Sequence, residues 1–256
     1  MVELPWDLAK RGTAQWRGHE VFCVKHTDTR TVLRVPLDAV PQWQSSRGEQ
    51  YLFAKRYGAH FYQWWRHLAW LLGQTKAQRE ALTTCAVADM GFVVPEPLLC
   101  FAGFSYNYLI TRELPGLRNM KQELAGLSMD ERRDFWREAG QFSHRMWESG
   151  IFHPDFLQKH LCRCDNGAQR TFALIDLDGV TFYPAGQAVP ATRRYFNAMQ
   201  ILRSLPPEFG SDADRLAYLE AAFPADWPTQ RDAILDAVLA KARRLGTLTH
   251  LEHLRG

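Results

Sequence analysis

Two aspartates in the second half of the chain have a setting that suits a two-carboxylate reaction centre. Asp155 ends the triplet His153-Pro-Asp155, His160 follows five positions later, and Asp176 ends an apolar run beyond an Asn-Gly turn. A carboxylate on a rigid loop can accept the proton of a hydroxyl group, while a second carboxylate can hold a metal ion that bridges phosphates. The pattern predicts phosphoryl transfer, with Asp155 as the base and Asp176 as the principal metal ligand.

Two neighbouring side chains each have two open interpretations. Asp178 forms an Asp-x-Asp pair with Asp176, and two such residues on a strand share one face. Asp178 therefore either binds a second metal ion or stabilises a turn. Imidazole is a poorer Mg²⁺ ligand than an amide oxygen, so His160 either binds the metal or orients Asp155 by a hydrogen bond.

A lysine and a glutamate upstream complete a set of phosphate-binding residues. Lys55 ends the third predicted strand, and Glu80 lies on the helix predicted to follow it. Protein kinases place a lysine and a glutamate in this order, and they carry a catalytic-loop aspartate and a metal-binding aspartate in the order seen here. Lys55 is expected to grip the α- and β-phosphates, while Glu80 orients it and offsets its charge.

The elements that position these residues can be predicted from hydrophobic periodicity and turn residues. A capping box at Ser128 and Glu131 marks the clearest helix. The chain beyond Pro190 is helical, with breaks at Pro206-Pro207 and near Pro224 to Pro228. The other predicted elements are strands at Glu20–Lys25, Thr31–Pro36, Gln50–Lys55, Pro97–Phe101 and Tyr106–Glu113, a helical region from His60 to about Asp89, and a hairpin of Leu161–Cys164 and Thr171–Asp176.

From about Phe22 to Val180 the chain resembles the Kdo/WaaP lipopolysaccharide core kinase family, within the protein-kinase-like fold. The resemblance rests on the motifs Tyr51-Leu-Phe-Ala-Lys55, Gln78-Arg-Glu80, Gly91-Phe-Val-Val-Pro-Glu-Pro97, Leu109-Ile-Thr-Arg-Glu-Leu114, His153-Pro-Asp155, His160 and Ile175-Asp176. It implies an α+β, two-lobed fold over residues 1–256, with a small antiparallel-sheet N-lobe carrying one main helix (about 1–114), a mainly helical C-lobe (115–256), and the active site in the cleft between them.

The same resemblance implies an enzyme that uses ATP and Mg²⁺ to phosphorylate a sugar hydroxyl, a heptose of the lipopolysaccharide inner core or a similar lipid-linked acceptor. It places Glu113, at the hinge, among the nucleotide-binding residues. The glycine-rich phosphate loop of protein kinases is missing, because the corresponding turn reads His26-Thr-Asp-Thr-Arg-Thr31. Phosphate contacts there would come from backbone amides, threonine hydroxyls or Arg30.

Composition narrows the remaining classes of function. The net charge of +3 is too small for the basic surface typical of nucleic-acid binders. The 5 cysteines, without a Cys-x-x-Cys spacing, argue against a disulfide framework or a zinc site. No signal-peptide core or membrane-spanning stretch is evident, so a cytoplasmic location is expected. The aromatic and basic stretch Phe61–Trp70 suits either core packing or peripheral contact with the inner membrane.

Two other functions remain open. A kinase acting on a soluble molecule such as an aminoglycoside would share the reaction, although Arg193, Arg194 and Arg203 better suit an anionic acceptor. A non-catalytic pseudokinase scaffold would explain the missing glycine loop and the histidine at position 160.

Overall fold

The structure, a computed structural model, describes residues 4, 6, 12–27, 30–43, 45, 48–58, 75–103, 106–167, 169–245 and 251–255. The chain divides into two compact units. The first comprises residues 1–117 together with 165–170, and the second comprises residues 118–164 and 171–256. The organisation of residues 1–256 as a single domain stays a prediction.

The first unit is built on an antiparallel sheet with the strand order β1-β2-β3-β4-β6-β5. Helix α1, Lys76–Asp89, contacts β4, β5 and β6. It begins at a capping box in which Thr75 and Gln78 each satisfy an amide of the first turn. The strands are β1 Thr13–Trp16, β2 His19–Thr27, β3 Arg30–Pro36, β4 Tyr51–Gly58, β5 Pro97–Ala102 and β6 Tyr106–Arg112.

Alternating apolar side chains on the central strands form the core of this unit. Leu33 and Val35 on β3 pack with Leu52 and Ala54 on β4, and Ile110 on β6 joins the same cluster. Side chains two residues apart on a strand lie on one face, which explains why these positions are buried together. The opposite face of β4 is therefore free to present Lys55 towards α1.

The second unit is mainly helical, with a small sheet in the order β10-β9-β7 and a two-stranded pairing of β8 with β11. Its helices are α2 Met120–Leu124, α3 Met129–Glu148, α4 Ala191–Ser204, α5 Asp212–Ala222 and α6 Trp227–Arg244. Its strands are β7 Arg118–Asn119, β8 Ile151–Phe152, β9 Leu161–Asn166, β10 Gln169–Leu174 and β11 Thr181–Phe182. The β9–β10 hairpin has residues 165–170 at its tip, which belong to the first unit.

Most of the elements predicted from the sequence are confirmed. The capping box at Ser128 and Glu131 starts α3, and the chain beyond Pro190 is helical with breaks at the predicted prolines. Strand β1 was not predicted, so the strand that carries Lys55 is the fourth and not the third. Of the predicted helical region, residues 60–74 lie outside the described residues, as does the whole stretch from Phe61 to Trp70.

No helix among the described residues is long and apolar enough to cross a membrane. Cys162 and Cys164 are both buried, as expected for two packing residues that share one face of a strand.

Candidate active site

Lys55 and Glu80 form a buried ion pair in the first unit. Lys55 Nζ donates to Glu80 Oε1 at 2.5 Å, and the side chains are 15% and 3% exposed. Tyr57, two residues along β4 and on the same face, donates its hydroxyl to Glu80 Oε2. Both carboxylate oxygens of Glu80 thus have a donor, which satisfies a buried charge and fixes the direction of Lys55. The pairing predicted from the sequence is observed, whereas phosphate binding by Lys55 stays a prediction.

Arg30 lies beside this pair. It is opposite Tyr57 in the β3–β4 register, and its guanidinium lies 5.6 Å from the centre of the Tyr57 ring. The ammonium of Lys76 lies 5.3 Å from the same ring. The Arg30 amide donates to the Thr27 hydroxyl at 3.0 Å, which closes the turn between β2 and β3. Three cationic side chains therefore gather around Tyr57 and Glu80, a charge distribution suited to phosphate.

Glu113 belongs to a different ion pair. Arg34 donates to Glu113 Oε1 through Nη2 at 2.8 Å and through Nε at 3.1 Å, and its guanidinium also covers the Tyr51 ring. Burial raises the pKa of Glu113, and the charge and hydrogen bonds of Arg34 oppose that rise. Tyr51, whose carbonyl accepts from the Glu113 amide, is four residues from Lys55 along β4, or about 13 Å. The structure therefore places Glu113 apart from the Lys55–Glu80 pair.

His153, in the second unit, is a fully buried support for Asp155. The Asp155 amide donates to His153 Nδ1 at 3.2 Å, so the ring proton must be on Nε2, which donates to the Ile175 carbonyl at 3.4 Å. Burial, reinforced by the nearby His160, lowers the pKa of His153 to about 4. A neutral imidazole thus joins the Asp155 loop to the segment that carries Asp176.

His160 contacts both aspartates. Its Nδ1 donates to the Asp155 carbonyl oxygen at 2.6 Å and lies 3.4 Å from Asp155 Oδ2, while its Nε2 lies 3.6 Å from Asp176 Oδ2. Burial lowers the pKa of His160, so the neutral ring keeps its proton on Nδ1 and leaves a lone pair on Nε2. The ring stacks on His153 with 5.7 Å between centroids. The predicted contact with Asp155 is observed, although it is made mainly to the main chain.

The two aspartates differ in exposure and in backbone conformation. The side chain of Asp155 is 54% exposed, whereas that of Asp176 is 26% exposed. Asp176 has φ of 57°, one of the few non-glycine residues in the left-handed region. Such strain persists where the surrounding structure demands it, and it is concentrated at functional sites.

Asp178 does not share a strand face with Asp176, contrary to the sequence prediction. Strand β10 ends at Leu174, and the left-handed backbone of Asp176 breaks the alternation that the prediction assumed. Asp178 lies instead in a turn with Gly179, whose φ is 81°. The turn interpretation of Asp178 fits this conformation, and a metal role for it stays a prediction. Within the described ranges, no three His, Cys, Asp or Glu side chains are grouped to hold a metal ion.

Two supporting residues were missed by sequence reasoning. Tyr57 could have been found from the Lys-x-Tyr spacing on one strand, which puts both side chains on the face of Glu80. The role of His153 was not assigned, although the residue stands in the motif, because its Ile175 partner is distant in sequence.

Comparisons with known proteins agree on the fold. The chain matches a solved structure described as WaaP in complex with acyl carrier protein, with a TM-score of 0.56 and 14% identity over 95% of this chain and 93% of that one. It also matches an aminoglycoside-3'-phosphotransferase of type VIII, with a TM-score of 0.53 and 16% identity over 92% and 98% of the two chains. At these identities the likeness shows a kinase-like α+β fold. No curated protein sequence matches the chain.

A match to a protein-family model shows which family the chain belongs to. The model of the lipopolysaccharide kinase (Kdo/WaaP) family matches residues 15–182, a range that contains Lys55, Glu80, Asp155 and Asp176. This family consists of phosphotransferases, and membership implies the use of ATP. The chain belongs to the lipopolysaccharide kinase (Kdo/WaaP) family.

Proposed function

We propose that this protein transfers the γ-phosphoryl group of ATP to a sugar hydroxyl of the lipopolysaccharide inner core, with a heptose as the acceptor sugar. The observation that carries the proposal is the contact of His160 with both Asp155 and Asp176. His160 thereby links two carboxylates. That of Asp155 is exposed, on a loop whose main chain is held in place, and that of Asp176 belongs to a residue with a strained backbone. A proton acceptor and a metal ligand are the two carboxylate functions that phosphoryl transfer needs.

The first unit supplies the phosphate-binding residues in this proposal. Lys55 binds the α- and β-phosphates, and Glu80 holds the ammonium in place while Tyr57 holds Glu80. Arg30 adds positive charge beside the same ring. The Glu113 carboxylate already accepts a hydrogen bond from Arg34. Glu113 therefore contributes indirectly to the nucleotide site in this proposal.

Asp155 receives the proton in the transfer step. The acceptor hydroxyl oxygen bonds to the γ-phosphorus, the bond from that phosphorus to the bridging oxygen breaks, and ADP leaves with the electron pair. The hydroxyl proton passes to the Asp155 carboxylate. Because the loop is held by His153 and His160, the carboxylate needs little reorganisation to meet the hydroxyl.

The residues around Asp176 fit a Mg²⁺ ion. Mg²⁺ in proteins commonly takes one or two carboxylates, several waters and the substrate phosphates, so it does not need a complete protein cage. Asp176 would supply a carboxylate ligand. The lone pair on His160 Nε2, 3.6 Å from Asp176 Oδ2, would offer a second metal ligand. Asp178 remains a candidate second ligand. A Mg²⁺ ion held there would supply positive charge that offsets the negative charge of the transferred phosphoryl group.

The lipopolysaccharide acceptor is supported by the family and by surface charge. Arg193 is exposed on the first turn of α4 and offers a cation to a phosphorylated sugar. Arg194 is less suitable than its position predicted, because it binds Glu148 at 2.9 Å and the Val189 carbonyl. The acceptor reaction would take place at the cytoplasmic face of the inner membrane.

The acceptor can be tested directly. Purified protein is incubated with γ-labelled ATP and Mg²⁺, together with either core oligosaccharide or a panel of aminoglycosides. We expect label in the oligosaccharide, lost in Asp155→Ala and Asp176→Ala and kept in Asp134→Ala, which removes a carboxylate 70% exposed on α3. Label that appears only in the aminoglycosides would refute the choice of acceptor.

A thermal-shift titration separates the enzyme from a scaffold. We expect ATP with Mg²⁺ to raise the melting temperature, since a ligand that binds the folded state stabilises it. Asp176→Ala should lose the part of the shift that depends on Mg²⁺. A melting temperature that does not move at millimolar nucleotide would favour the pseudokinase alternative.

A further inference from the structure

Helix α4 carries three uncharged polar side chains on one face of its C-terminal half. Asn197, Gln200 and Ser204 are spaced i, i+3 and i+7, which places them in one stripe. Asn197 and Gln200 are buried. Burying an amide is unfavourable unless its donors and acceptors are satisfied, so these residues must have partners that repay their burial.

The partners are main-chain atoms of the loop that carries Asp155. Asn197 Nδ2 donates to the His153 carbonyl at 2.7 Å, and Gln200 Nε2 donates to the Pro154 carbonyl at 2.8 Å. Gln200 Oε1 accepts from the Phe156 amide at 3.2 Å. The two amide side chains therefore hold the main chain immediately before and immediately after Asp155.

Together with the two histidines, these amides give partners to the carbonyls of His153, Pro154 and Asp155 and to the amides of Asp155 and Phe156. The Asp155 amide binds His153 Nδ1, and the Asp155 carbonyl binds His160 Nδ1. Pro154 has no amide hydrogen to satisfy. The stripe continues at Ser204, whose hydroxyl accepts from the Gln158 amide at 2.9 Å. The side chain of Asp155 itself remains exposed.

We propose that Asn197 and Gln200 are positioning residues for phosphoryl transfer, which act by holding the main chain on both sides of Asp155. The proposal rests on the function proposed above for Asp155. In this proposal the two amides act without contact with the nucleotide or the acceptor. They act by fixing the direction of the Asp155 carboxylate.

The orientation of both amides is determined by their partners. Gln200 needs a donor for the Pro154 carbonyl and an acceptor for the Phe156 amide, and Asn197 Nδ2 also donates to Gln200 Oε1 at 3.0 Å. Trp147 Nε1 on α3 donates to Asn197 Oδ1 at 3.2 Å. A carboxylate of the same shape could not donate to either carbonyl. Isosteric substitutions therefore separate hydrogen bonding from packing.

The first test compares steady-state kinetics of Gln200→Glu and Asn197→Asp with the wild type. We expect kcat to fall by about 10- to 100-fold, the scale of a carboxylate displaced by up to 1 Å, while KM for ATP stays within about twofold. Tyr218→Phe is the matched control: it removes another buried hydrogen bond of this unit, to Ser143 at 3.0 Å, and should leave kcat unchanged. A wild-type kcat in both isosteric variants would overturn the proposal.

The second test asks whether Gln200 acts through Asp155. In an Asp155→Ala background, Gln200→Glu should lower the residual rate by less than about twofold, because residues that act as a unit are not additive. A full 10- to 100-fold further loss would instead show that Gln200 acts independently and would overturn the proposal.

A third measurement needs no activity, and so separates failure of this proposal from failure of the proposed function. Amide hydrogen exchange at Phe156 should be faster in Gln200→Met, which removes the acceptor for this amide, than in the wild type, and unchanged in Tyr218→Phe. If the wild type phosphorylates no acceptor, the function proposed above fails, and exchange still decides whether Gln200 holds the loop. Unchanged exchange at Phe156 in folded Gln200→Met would sink the inference.

Discussion

His153 should make the stability of the folded protein depend on pH below neutrality. Its folded-state pKa is lowered to about 4, chiefly by burial, from an ordinary value of 6.5. Between these two pH values His153 binds a proton in the unfolded chain but not in the folded one. The contribution of neutral His153 to the unfolding free energy is therefore fully present above pH 6.5 and is lost as the pH falls towards 4. The linkage relation gives a loss of about 1 kcal/mol from pH 7 to 5.5, and about 2 kcal/mol from pH 7 to 4.5.

The assay is equilibrium unfolding in urea at pH 7, 5.5 and 4.5, for the wild type and for His153→Asn. Asparagine keeps an acceptor for the Asp155 amide but cannot titrate, so the difference in unfolding free energy between the two proteins isolates the imidazole. We expect the wild type to lose about 2 kcal/mol more than the variant over this range.

Parallel free-energy curves for the two proteins would refute the reasoning, because they would show that His153 is protonated as readily in the folded state as in the unfolded one.

Three further substitutions test particular contacts. Tyr57→Phe leaves Glu80 Oε2 without its hydroxyl donor and should cost about 1–3 kcal/mol in urea unfolding, with a higher KM for ATP. Gly140→Ala would bring a Cβ to 2.4 Å from the Tyr218 carbonyl, so we expect a loss of about 1–3 kcal/mol with no specific change in KM. Lys55→Met should weaken ATP binding in a thermal-shift titration while the protein stays folded, and an unchanged shift would contradict its phosphate role.

The sequence was most informative where local chemistry determines the structure. Alternation of apolar residues predicted the strands from β2 to β6, and the capping box at Ser128 predicted the start of α3. Strand β1 has only 4 residues, so its alternation of polar and apolar residues is too short to identify a strand. Arg17 and Gly18, in the turn that joins it to β2, both have positive φ, as in a tight hairpin, but Arg-Gly is not one of the residue pairs that mark such a turn in a sequence.

The sequence was least informative where function depends on partners distant in the chain. The Lys55–Glu80 pair could be predicted because a known order of residues defines it, but the contact of Gln200 with Pro154 spans 46 positions and has no local signature. The amides of α4 were visible only as polar residues within a helical pattern. The expectation that Asp178 shares a strand face with Asp176 was wrong, because β10 ends at Leu174 and Asp176 has a left-handed backbone; a metal role for Asp178 stays a prediction.

Four buried polar side chains in the second unit, His153, His160, Asn197 and Gln200, bind the main chain of one short loop. Burial lowers the pKa of His153, so the folded protein loses stability as the pH falls below neutrality. Burial also lowers the pKa of His160. Asn197 and Gln200 occupy positions on α4 where apolar side chains would pack without any need for hydrogen bonds. Together, these side chains hold the main chain of the loop in place, while the side chain of Asp155 stays exposed. If these amides had only a structural role, apolar replacements would lower stability and turnover together, because they leave main-chain atoms of the loop without partners. A loss of turnover larger than the loss of stability explains would show that the chain retains the amides for catalysis.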